Sequence, residues 1–296
     1  MQEIQLPVYI PARNEGTKSK PKAGDGIKFV KESNLEQTVN SLKKSAEMAN
    51  VKLKTIVVND GSTDNTSELA NELVDFVIDL PNRGYSALGK PELSETHNEA
   101  LQFIKLTYDA PFVMVVGADT ILDENYIKAI LDEFKTNRNL MICGGLSDVG
   151  NPAPNAVRGA GRIYRRQILD AIGWKLPYFH AWESYPIYYA QANGYETYTI
   201  HTVSFGQLRP SLSKVNWKNY GIGMYELGAI LPYVFGRAAK HTLHGHFKRG
   251  SGLIYGYFIG VLRHKPRYPK HVRKYVQKYQ WKRIVYYISF GKINLL

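Results

Sequence analysis

Three short polar segments carry the residue types that could do chemistry in this chain. They are Pro11-Ala12-Arg13-Asn14-Glu15, Asn59-Asp60-Gly61-Ser62-Thr63-Asp64 and Gly117-Ala118-Asp119, and each follows an apolar run. Acidic and backbone groups of this kind suit a nucleotide with its diphosphate and a metal ion. A simpler role also fits, because Asp60-Gly61-Ser62 is typical of a strand-to-helix turn and Asp119 of an exposed turn. Their occurrence in order favours one shared ligand site over three independent turns.

The apolar runs before these segments predict buried strands. Residues 4–10, 55–58 and 112–116 are rich in Val, Ile, Phe and Tyr, as strands covered on both faces are. Between the first two runs, apolar residues spaced by four and three predict a helix with Ser33 or Asn34 as its N-cap. The apolar residues are Leu35, Val39, Leu42, Ala46 and Ala49. This β-α-β unit predicts an α/β fold, with the polar segments at the carboxyl edge of a parallel sheet.

At these motifs the sequence resembles the family 2 glycosyltransferases of the GT-A fold. The middle segment, with Asp60-Gly61-Ser62, is the most specific match. Further matches are Asn82-Arg83-Gly84, Asn98-Glu99-Ala100, Tyr164-Arg165-Arg166 with Ile172-Gly173, and Trp182-Glu183 before Gly194-Tyr195-Glu196. Together they extend over residues 4–205. The resemblance implies a Rossmann-like, mostly parallel mixed sheet flanked by helices.

For the three polar segments, the resemblance implies a nucleotide-sugar donor, such as a UDP- or GDP-sugar. The residues assigned to the donor are Pro11, Ala12, Arg13, Glu15, Asp60, Gly117, Ala118 and Asp119. In this family the third residue of the triplet, here Asp119, reaches a divalent cation, and Mn²⁺ or Mg²⁺ would serve. A hard cation held by carboxylate oxygen stabilises the departing diphosphate. Gly117 stands where the family commonly has Asp, which removes one ribose or metal contact.

Two basic residues outside these segments are further candidates. Lys90 follows the Asn82-Arg83-Gly84 turn and is a plausible diphosphate contact, although a basic loop residue is usually only solvated. His201 follows a strand-like run and could approach the diphosphate or complete the metal shell with Asp119, since some GT-A enzymes use a histidine in that region. A lone histidine is more often a hydrogen-bonded structural residue, so both interpretations stay open.

The resemblance also implies inverting transfer, which needs a carboxylate to take the proton of the acceptor hydroxyl. The family places this base in a Glu-Asp pair, and this chain has Glu183-Ser184. Glu183 is therefore the candidate base, and a first-turn carboxylate favoured by the helix dipole is the alternative. An acceptor that is already ionised, such as a lipid phosphate, would need no strong base.

Charge divides the chain into two parts. Residues 1–213 carry 22 Lys and Arg against 25 Asp and Glu, whereas residues 214–296 carry 16 against one, Glu226. We therefore predict a GT-A catalytic domain over residues 1–213 and a basic, aromatic helical extension over residues 214–296. The single Cys143 and the lack of a secretory signal at the start of the sequence predict a cytoplasmic protein.

The basic extension has three possible roles. An anionic membrane surface would attract its Lys and Arg while Tyr and Trp settle at headgroup depth, and nucleic acid would use the same charges on phosphates. Its apolar runs, residues 222–235 and 252–262, favour the membrane but are too short or too polar to span it easily. Ordinary helices packed on the catalytic domain are the third possibility.

The sequence therefore predicts sugar transfer to a lipid-linked or membrane-proximal acceptor by a peripheral membrane enzyme. A catalytically inactive protein that binds a nucleotide sugar as a scaffold is one alternative, suggested by Gly117 and Ser184. A nucleic-acid-binding protein that acts through the basic extension is the other.

Overall fold

The computed structural model describes residues 4–16, 33–148, 156–209 and 215–289. The chain divides into two compact units. Of the described residues, the first unit contains 4–16, 33–86, 96–148, 156–175 and 195–209. The second contains 87–95, 176–194 and 215–289. Stretches from the middle of the sequence thus belong to the same unit as the basic C-terminal part.

In its described residues, the first unit is built on a mixed sheet of eight strands in the order β3-β2-β1-β4-β7-β6-β8-β5. The strands are β1 (Gln5–Ala12), β2 (Lys52–Asn59), β3 (Phe76–Asp79), β4 (Phe112–Val115), β5 (Thr120–Leu122), β6 (Leu140–Ser147), β7 (Arg162–Arg165) and β8 (Glu196–Gln207). Strands β3, β2, β1 and β4 run parallel, as do β6 and β8. Strand β7 is antiparallel to β4 and β6, and β5 is antiparallel to β8. The α/β class and the mixed sheet predicted from the sequence are confirmed.

Helices follow β1, β2, β3, β5 and β7 along the chain. They are α1 (Asn34–Ala49), α2 (Thr66–Leu73), α3 (Leu93–Thr107), α4 (Tyr126–Thr136) and α5 (Arg166–Ala171), of which α3 starts in the second unit. Helix α1 begins as predicted, because the Ser33 hydroxyl accepts a hydrogen bond from the Glu36 amide at 3.0 Å. Its predicted apolar residues Leu35, Val39, Leu42 and Ala46 are buried in the main core. Burying this face holds the ends of β1 and β2 in position.

The second unit is helical in its described part. It contains a 3-10 turn (Trp182–Ser184), α6 (Tyr185–Ala192), α7 (Trp217–Leu227), α8 (Leu231–Leu243), α9 (Phe247–Leu262) and α10 (Lys270–Ile288). Helices α7 and α9 approach closely because glycines face the contact. A Cβ atom on Gly221 would lie 2.1 Å from the Leu253 carbonyl oxygen, and one on Gly256 would lie 1.9 Å from that of Lys218. Among the described residues, no helix has the length and apolar character needed to cross a membrane.

Candidate active site

The three polar segments meet at one edge of the sheet in the first unit. Strands β2, β1 and β4 are neighbours and run parallel, so their carboxyl ends lie side by side. Asp60 directly follows β2, Arg13 directly follows β1, and Gly117 lies two residues beyond β4. The predicted grouping of these segments is therefore confirmed. Their roles toward a ligand stay predictions.

Asp60 is the buried centre of a polar network at this edge, and only 3% of the residue is exposed. Its carboxylate accepts hydrogen bonds from the Arg83 guanidinium and, at 2.9 Å, from the Thr96 hydroxyl. Arg13 donates to the Asp60 carbonyl oxygen and, at 3.0 Å, to the side chain of Asn82. A buried carboxylate needs such partners. The network therefore holds Arg13 beside the segment that follows β2.

The segments after β1 and β2 are also joined through their backbones. The Asn14 amide donates to the Ser62 hydroxyl at 2.9 Å, and the Thr63 amide donates to the Asn14 side chain at the same distance. Asn14 has a φ of 55°, in the left-handed region that asparagine tolerates better than most residues. The Glu15 amide donates to the Thr66 hydroxyl at 2.8 Å. These bonds fix the direction in which the Glu15 side chain leaves the sheet.

Two carboxylates, Glu15 and Asp119, contact the same guanidinium. Arg209, two residues after β8, pairs with Glu15 and donates from Nε to Asp119 Oδ2 at 3.2 Å. Glu15 is 5% exposed. Burial raises the pKa of its carboxyl, and the positive charge of Arg209 opposes that rise. The segments after β1 and β4 thus contribute one carboxylate each, and the segment after β8 contributes the guanidinium that both carboxylates contact.

Gly117 has a steric reason to lack a side chain. A Cβ atom at this position would lie 2.8 Å from Thr120 Oγ1 and 3.4 Å from Asp119 Oδ1. Thr120 is fully buried, and its amide donates to the Gly117 carbonyl oxygen at 3.1 Å. An Asp at position 117 would therefore need Thr120 to move, so Asp119 provides the carboxylate of this triplet.

Lys90 and Glu183 both belong to the second unit. The Lys90 amide donates to the Ala87 carbonyl oxygen at 2.9 Å, in a turn before α3. Glu183 lies in the 3-10 turn before α6, where its side chain is exposed. Ser184, in place of the second acid of the family pair, is the N-cap residue of α6.

A buried acid anchors the segment that leads to Glu183. Glu226 on α7 is only 2% exposed, and its carboxylate accepts a hydrogen bond from the His180 amide at 2.7 Å. The His180 ring nitrogen Nδ1 lies 3.1 Å from the same carboxylate. The Glu226 carbonyl oxygen accepts from the Tyr268 amide at 2.8 Å. The one acidic residue of the basic C-terminal part is therefore an internal anchor of the second unit.

Comparison with known proteins identifies the family. A model described as glycosyl transferase family 2 matches residues 8–185, more than half of the chain. The chain belongs to glycosyl transferase family 2. None of the curated proteins matches this glycosyltransferase in sequence.

Solved structures of other glycosyltransferases have a similar fold. Staphylococcus aureus TarS 1–349 in complex with UDP-GlcNAc is 14% identical, with a TM-score of 0.57 over 97% of this chain and 88% of TarS 1–349. A mannosyltransferase, PcManGT from Pyrobaculum calidifontis, in complex with GDP-Man and Mn²⁺, is 12% identical, with a TM-score of 0.55 over 99% and 84% of the two chains. At these identities the likeness concerns the fold, which is GT-A.

The fit of the predicted divalent cation can be judged from the side chains. Glu15 and Asp119 offer carboxylate oxygens, the donors that Mg²⁺ and Mn²⁺ prefer, and both already contact a positive group, Arg209. Within the described ranges, no three His, Cys, Asp or Glu side chains form a metal-binding group. A cation here would therefore need oxygens from the diphosphate or water to complete its shell.

His201 is not brought to Asp119. The Asp119 carbonyl oxygen accepts from the Leu208 amide at 2.8 Å, and Leu208 lies seven residues beyond His201. At about 3.3 Å per residue, the strand places His201 roughly 20 Å from that contact. His201 is exposed on β8. A cation site shared by Asp119 and His201 is not supported by this arrangement.

Sequence reasoning missed Arg209 and Thr96 at the sheet edge of the first unit and Glu226 in the second unit. Arg209 follows a strand-like run, which is the signal that pointed to Arg13 and Asp119, but its two acidic partners lie far away in sequence. Thr96 and Glu226 lie inside helices and carry no motif. Only packing brings them to Asp60 and His180.

Proposed function

We propose that this glycosyltransferase moves a sugar from a nucleoside diphosphate donor, with inversion and with the help of a divalent cation, to a lipid-linked or membrane-proximal acceptor. The observation that carries the proposal is the meeting of Glu15, Asp119 and Arg209 at the carboxyl edge of the sheet. This edge is where open α/β sheets bind nucleotides. UDP-GlcNAc and GDP-Man, present in complexes of two similar folds, are the first donors to test.

Donor binding is assigned to the first unit. Arg13 and Asp60 hold the segments after β1 and β2 together, and the exposed part of that edge receives the nucleoside. Pro11 and Ala12 end β1 and bring the backbone to the same place. Lys90 is a further candidate for the diphosphate, to be tested by substitution.

The cation is assigned to Asp119, with Glu15 beside it. Bound there, Mn²⁺ or Mg²⁺ would neutralise the negative charge that the diphosphate gains as it leaves. Asp119 and Glu15 hold their oxygens toward Arg209, and a cation would compete with this guanidinium for them. The Mn²⁺ in the mannosyltransferase complex makes manganese the first metal to test.

Transfer forms one bond and breaks one bond at the anomeric carbon. The acceptor oxygen attacks that carbon from the face opposite the diphosphate, and the diphosphate leaves with the electron pair. For a hydroxyl acceptor, Glu183 takes the proton. For a phosphate acceptor, the attacking oxygen is already ionised and Glu183 has no proton to take.

Attachment to an anionic membrane surface is supported by charge and by exposed apolar side chains. Residues 214–296 carry 16 basic residues against one acidic residue, and that acid is buried. Tyr255, Phe258 and Leu262 on α9 are 61%, 41% and 77% exposed, at spacings that place them on one helix face. Aromatic and basic residues together suit the headgroup region. The single Cys143 is compatible with the reducing cytoplasmic side.

The donor and the metal are tested together by thermal shift and donor hydrolysis, with UDP- and GDP-sugars in Mn²⁺, Mg²⁺ or chelator. We expect metal-dependent stabilisation by one donor, because a bound ligand stabilises the folded state. Asp119→Asn should remove the metal-dependent part. Asp109→Asn, whose side chain is 100% exposed, is the matched control. Stabilisation that is equal with chelator would exclude the cation role, and no response to any donor would favour the nucleic-acid alternative.

The base and the membrane are tested separately. Glu183→Gln should keep donor binding and stop transfer to a hydroxyl acceptor; unchanged transfer would show that Glu183 is not the base. Sedimentation of the full chain with vesicles containing anionic lipid should weaken in Phe258→Ala and not in Leu106→Ala, which removes an 85% exposed side chain from α3. Binding that competing RNA abolishes would favour the nucleic-acid alternative.

A further inference from the structure

The second unit contains a partly open cavity of about 240 Å³ beside the candidate base. Glu183 and Ser184 line one side, and residues of α6, α7, α8 and α10 line the rest. Arg237 and Arg283 bring two guanidiniums to it. We propose that this cavity binds the phosphate group of a prenyl-phosphate acceptor through Arg237 and Arg283. The proposal rests on the transferase function proposed above and adds the acceptor's chemical class.

The two arginines are held by aromatic rings and not by acids. The Arg237 guanidinium lies 5.1 Å from the centroid of the Tyr220 ring. The Arg283 guanidinium lies 5.9 Å from that of Tyr279 and donates to the Tyr287 hydroxyl at 3.1 Å. In the part of the chain that the structure describes, neither arginine has a carboxylate within ion-pair distance. Stacking therefore fixes the guanidinium planes while most of their N–H donors remain available to an anion.

The electrostatics of the cavity favour a negatively charged ligand. Two guanidiniums face one carboxylate, Glu183, because Ser184 stands where a second acid would have added another negative charge. The positive charge also acts on Tyr287, whose pKa is lowered by its hydrogen bond to Arg283 and by the charges of Arg283, Lys240 and Arg237. An anion would thus enter a positive field with its partners already oriented.

The kind of anion follows from the donors. A guanidinium presents a planar fork of N–H groups that matches two phosphate oxygens, and two forks can hold one phosphate from two sides. Tyr188 also lines the cavity, and burial raises the pKa of its hydroxyl, which therefore keeps its proton at neutral pH. Met224 and Leu227, which also line the cavity, offer apolar surface to a hydrocarbon chain. A phosphate with an attached prenyl chain uses both features.

A phosphate in this position would also explain Glu183-Ser184. The attacking oxygen of a phosphate monoester carries its charge at neutral pH, so no second carboxylate is needed to assist deprotonation. The oxygen forms the bond to the anomeric carbon, and the nucleoside diphosphate leaves with the electron pair.

The test is calorimetric titration of the full chain with geranyl phosphate, inorganic phosphate and geraniol. We expect geranyl phosphate to bind, inorganic phosphate to compete with it, and geraniol to bind much more weakly. Arg237→Gln and Arg283→Gln should each weaken geranyl phosphate about 10- to 100-fold, as expected for lost hydrogen bonds to a charged group. Arg263→Gln, an exposed residue just beyond α9 and outside the cavity, should bind as wild type does.

Equal binding of geraniol and geranyl phosphate, or unchanged affinity in both Gln variants, would overturn the proposal. If a Gln variant does not fold, Arg237→Lys and Arg283→Lys carry the test, because they keep the charge and remove the fork. Unchanged affinity in the Lys variants would then overturn it. A thermal shift with the nucleotide-sugar donor, run on the same variants, separates the two hypotheses. Donor binding without arginine-dependent phosphate binding refutes only the acceptor site, whereas absent donor binding refutes the transferase function.

Discussion

Glu226 provides the sharpest test of the second unit, because a single substitution removes its buried anchor. The carboxylate accepts two hydrogen bonds from His180, at 2.7 Å from the amide and 3.1 Å from the ring nitrogen. Glu226→Gln keeps the shape of the side chain and one carbonyl oxygen, so one of these bonds can survive. A hydrogen bond to a charged group contributes about 1.5–3 kcal/mol. We therefore expect Glu226→Gln to lower the free energy of unfolding by that amount.

Glu226→Ala should cost more, since both bonds are lost and a cavity remains. Removal of one partner from a buried charged pair typically costs about 3–5 kcal/mol. With a shift of roughly 2–4 °C per kcal/mol for a chain of this length, we expect Tm to fall by about 6–20 °C in Glu226→Ala and by about 3–12 °C in Glu226→Gln.

The assay is differential scanning calorimetry, followed by donor binding and transfer. Glu47→Gln on α1 is the matched control, because its exposed side chain should change stability by less than about 0.5 kcal/mol. Donor binding should persist in Glu226→Gln, since the donor edge belongs to the first unit. Transfer should fall, because His180 lies three residues before Glu183. A Glu226→Gln protein whose Tm lies within about 1 °C of the wild-type Tm, a change as small as that expected for Glu47→Gln, would refute the reasoning.

Three further predictions concern the first unit. Burial, with the charge of Arg162, lowers the pKa of His97 to about 3. In the unfolded state the His97 imidazole binds a proton below about pH 6.5, whereas in the folded state it stays neutral down to about pH 3. The stability that the neutral imidazole contributes is therefore complete above pH 6.5 and is lost as the pH falls toward 3. Denaturant titrations should show a free energy of unfolding about 1–2 kcal/mol lower at pH 5 than at pH 7, and a smaller difference in His97→Gln. In Arg209→Gln the carboxylates of Glu15 and Asp119 lose their shared partner, so Mn²⁺ alone should raise Tm more than in wild type; an equal shift would argue against a cation site there. Burial raises the pKa of Cys143 to about 12, so a thiol reagent at pH 8 should label it only after denaturation, and rapid labelling of the native protein would contradict its burial.

The carboxyl edge of the sheet could be predicted because local patterns encode it. A buried strand needs an unbroken apolar run, and the first polar residue after that run marks its end. Ser33 was recognisable as an N-cap for a similar reason, since its hydroxyl satisfies an amide only three residues away. Parallel β-α-β connections then bring successive strand ends to the same side. Asp60 and Asp119 were found by this route.

The partners of these residues could not be predicted in the same way. Glu15 and Arg209 are 194 residues apart, and Glu226 and His180 are 46 apart. In the sequence, Glu226 is one acid among many bases, and nothing local distinguishes a buried anchor from a solvated charge. His201 and Asp119 both suit a metal chemically. The hydrogen bond from the Leu208 amide to the Asp119 carbonyl oxygen, however, places the C-terminal end of β8 beside Asp119, seven residues away from His201.

The sequence by itself determined the fold class, the strand ends that carry the donor motifs, and the separation of charge between residues 1–213 and 214–296. These features follow from periodicity, turn chemistry and composition, which act over a few residues at a time. Only the tertiary structure decided that Arg209 joins two carboxylates, that Glu226 is buried against His180, and that Arg237 and Arg283 share a cavity with Glu183. Such contacts depend on how whole helices and strands pack, because a side chain's partner is set by the three-dimensional path of the chain between them.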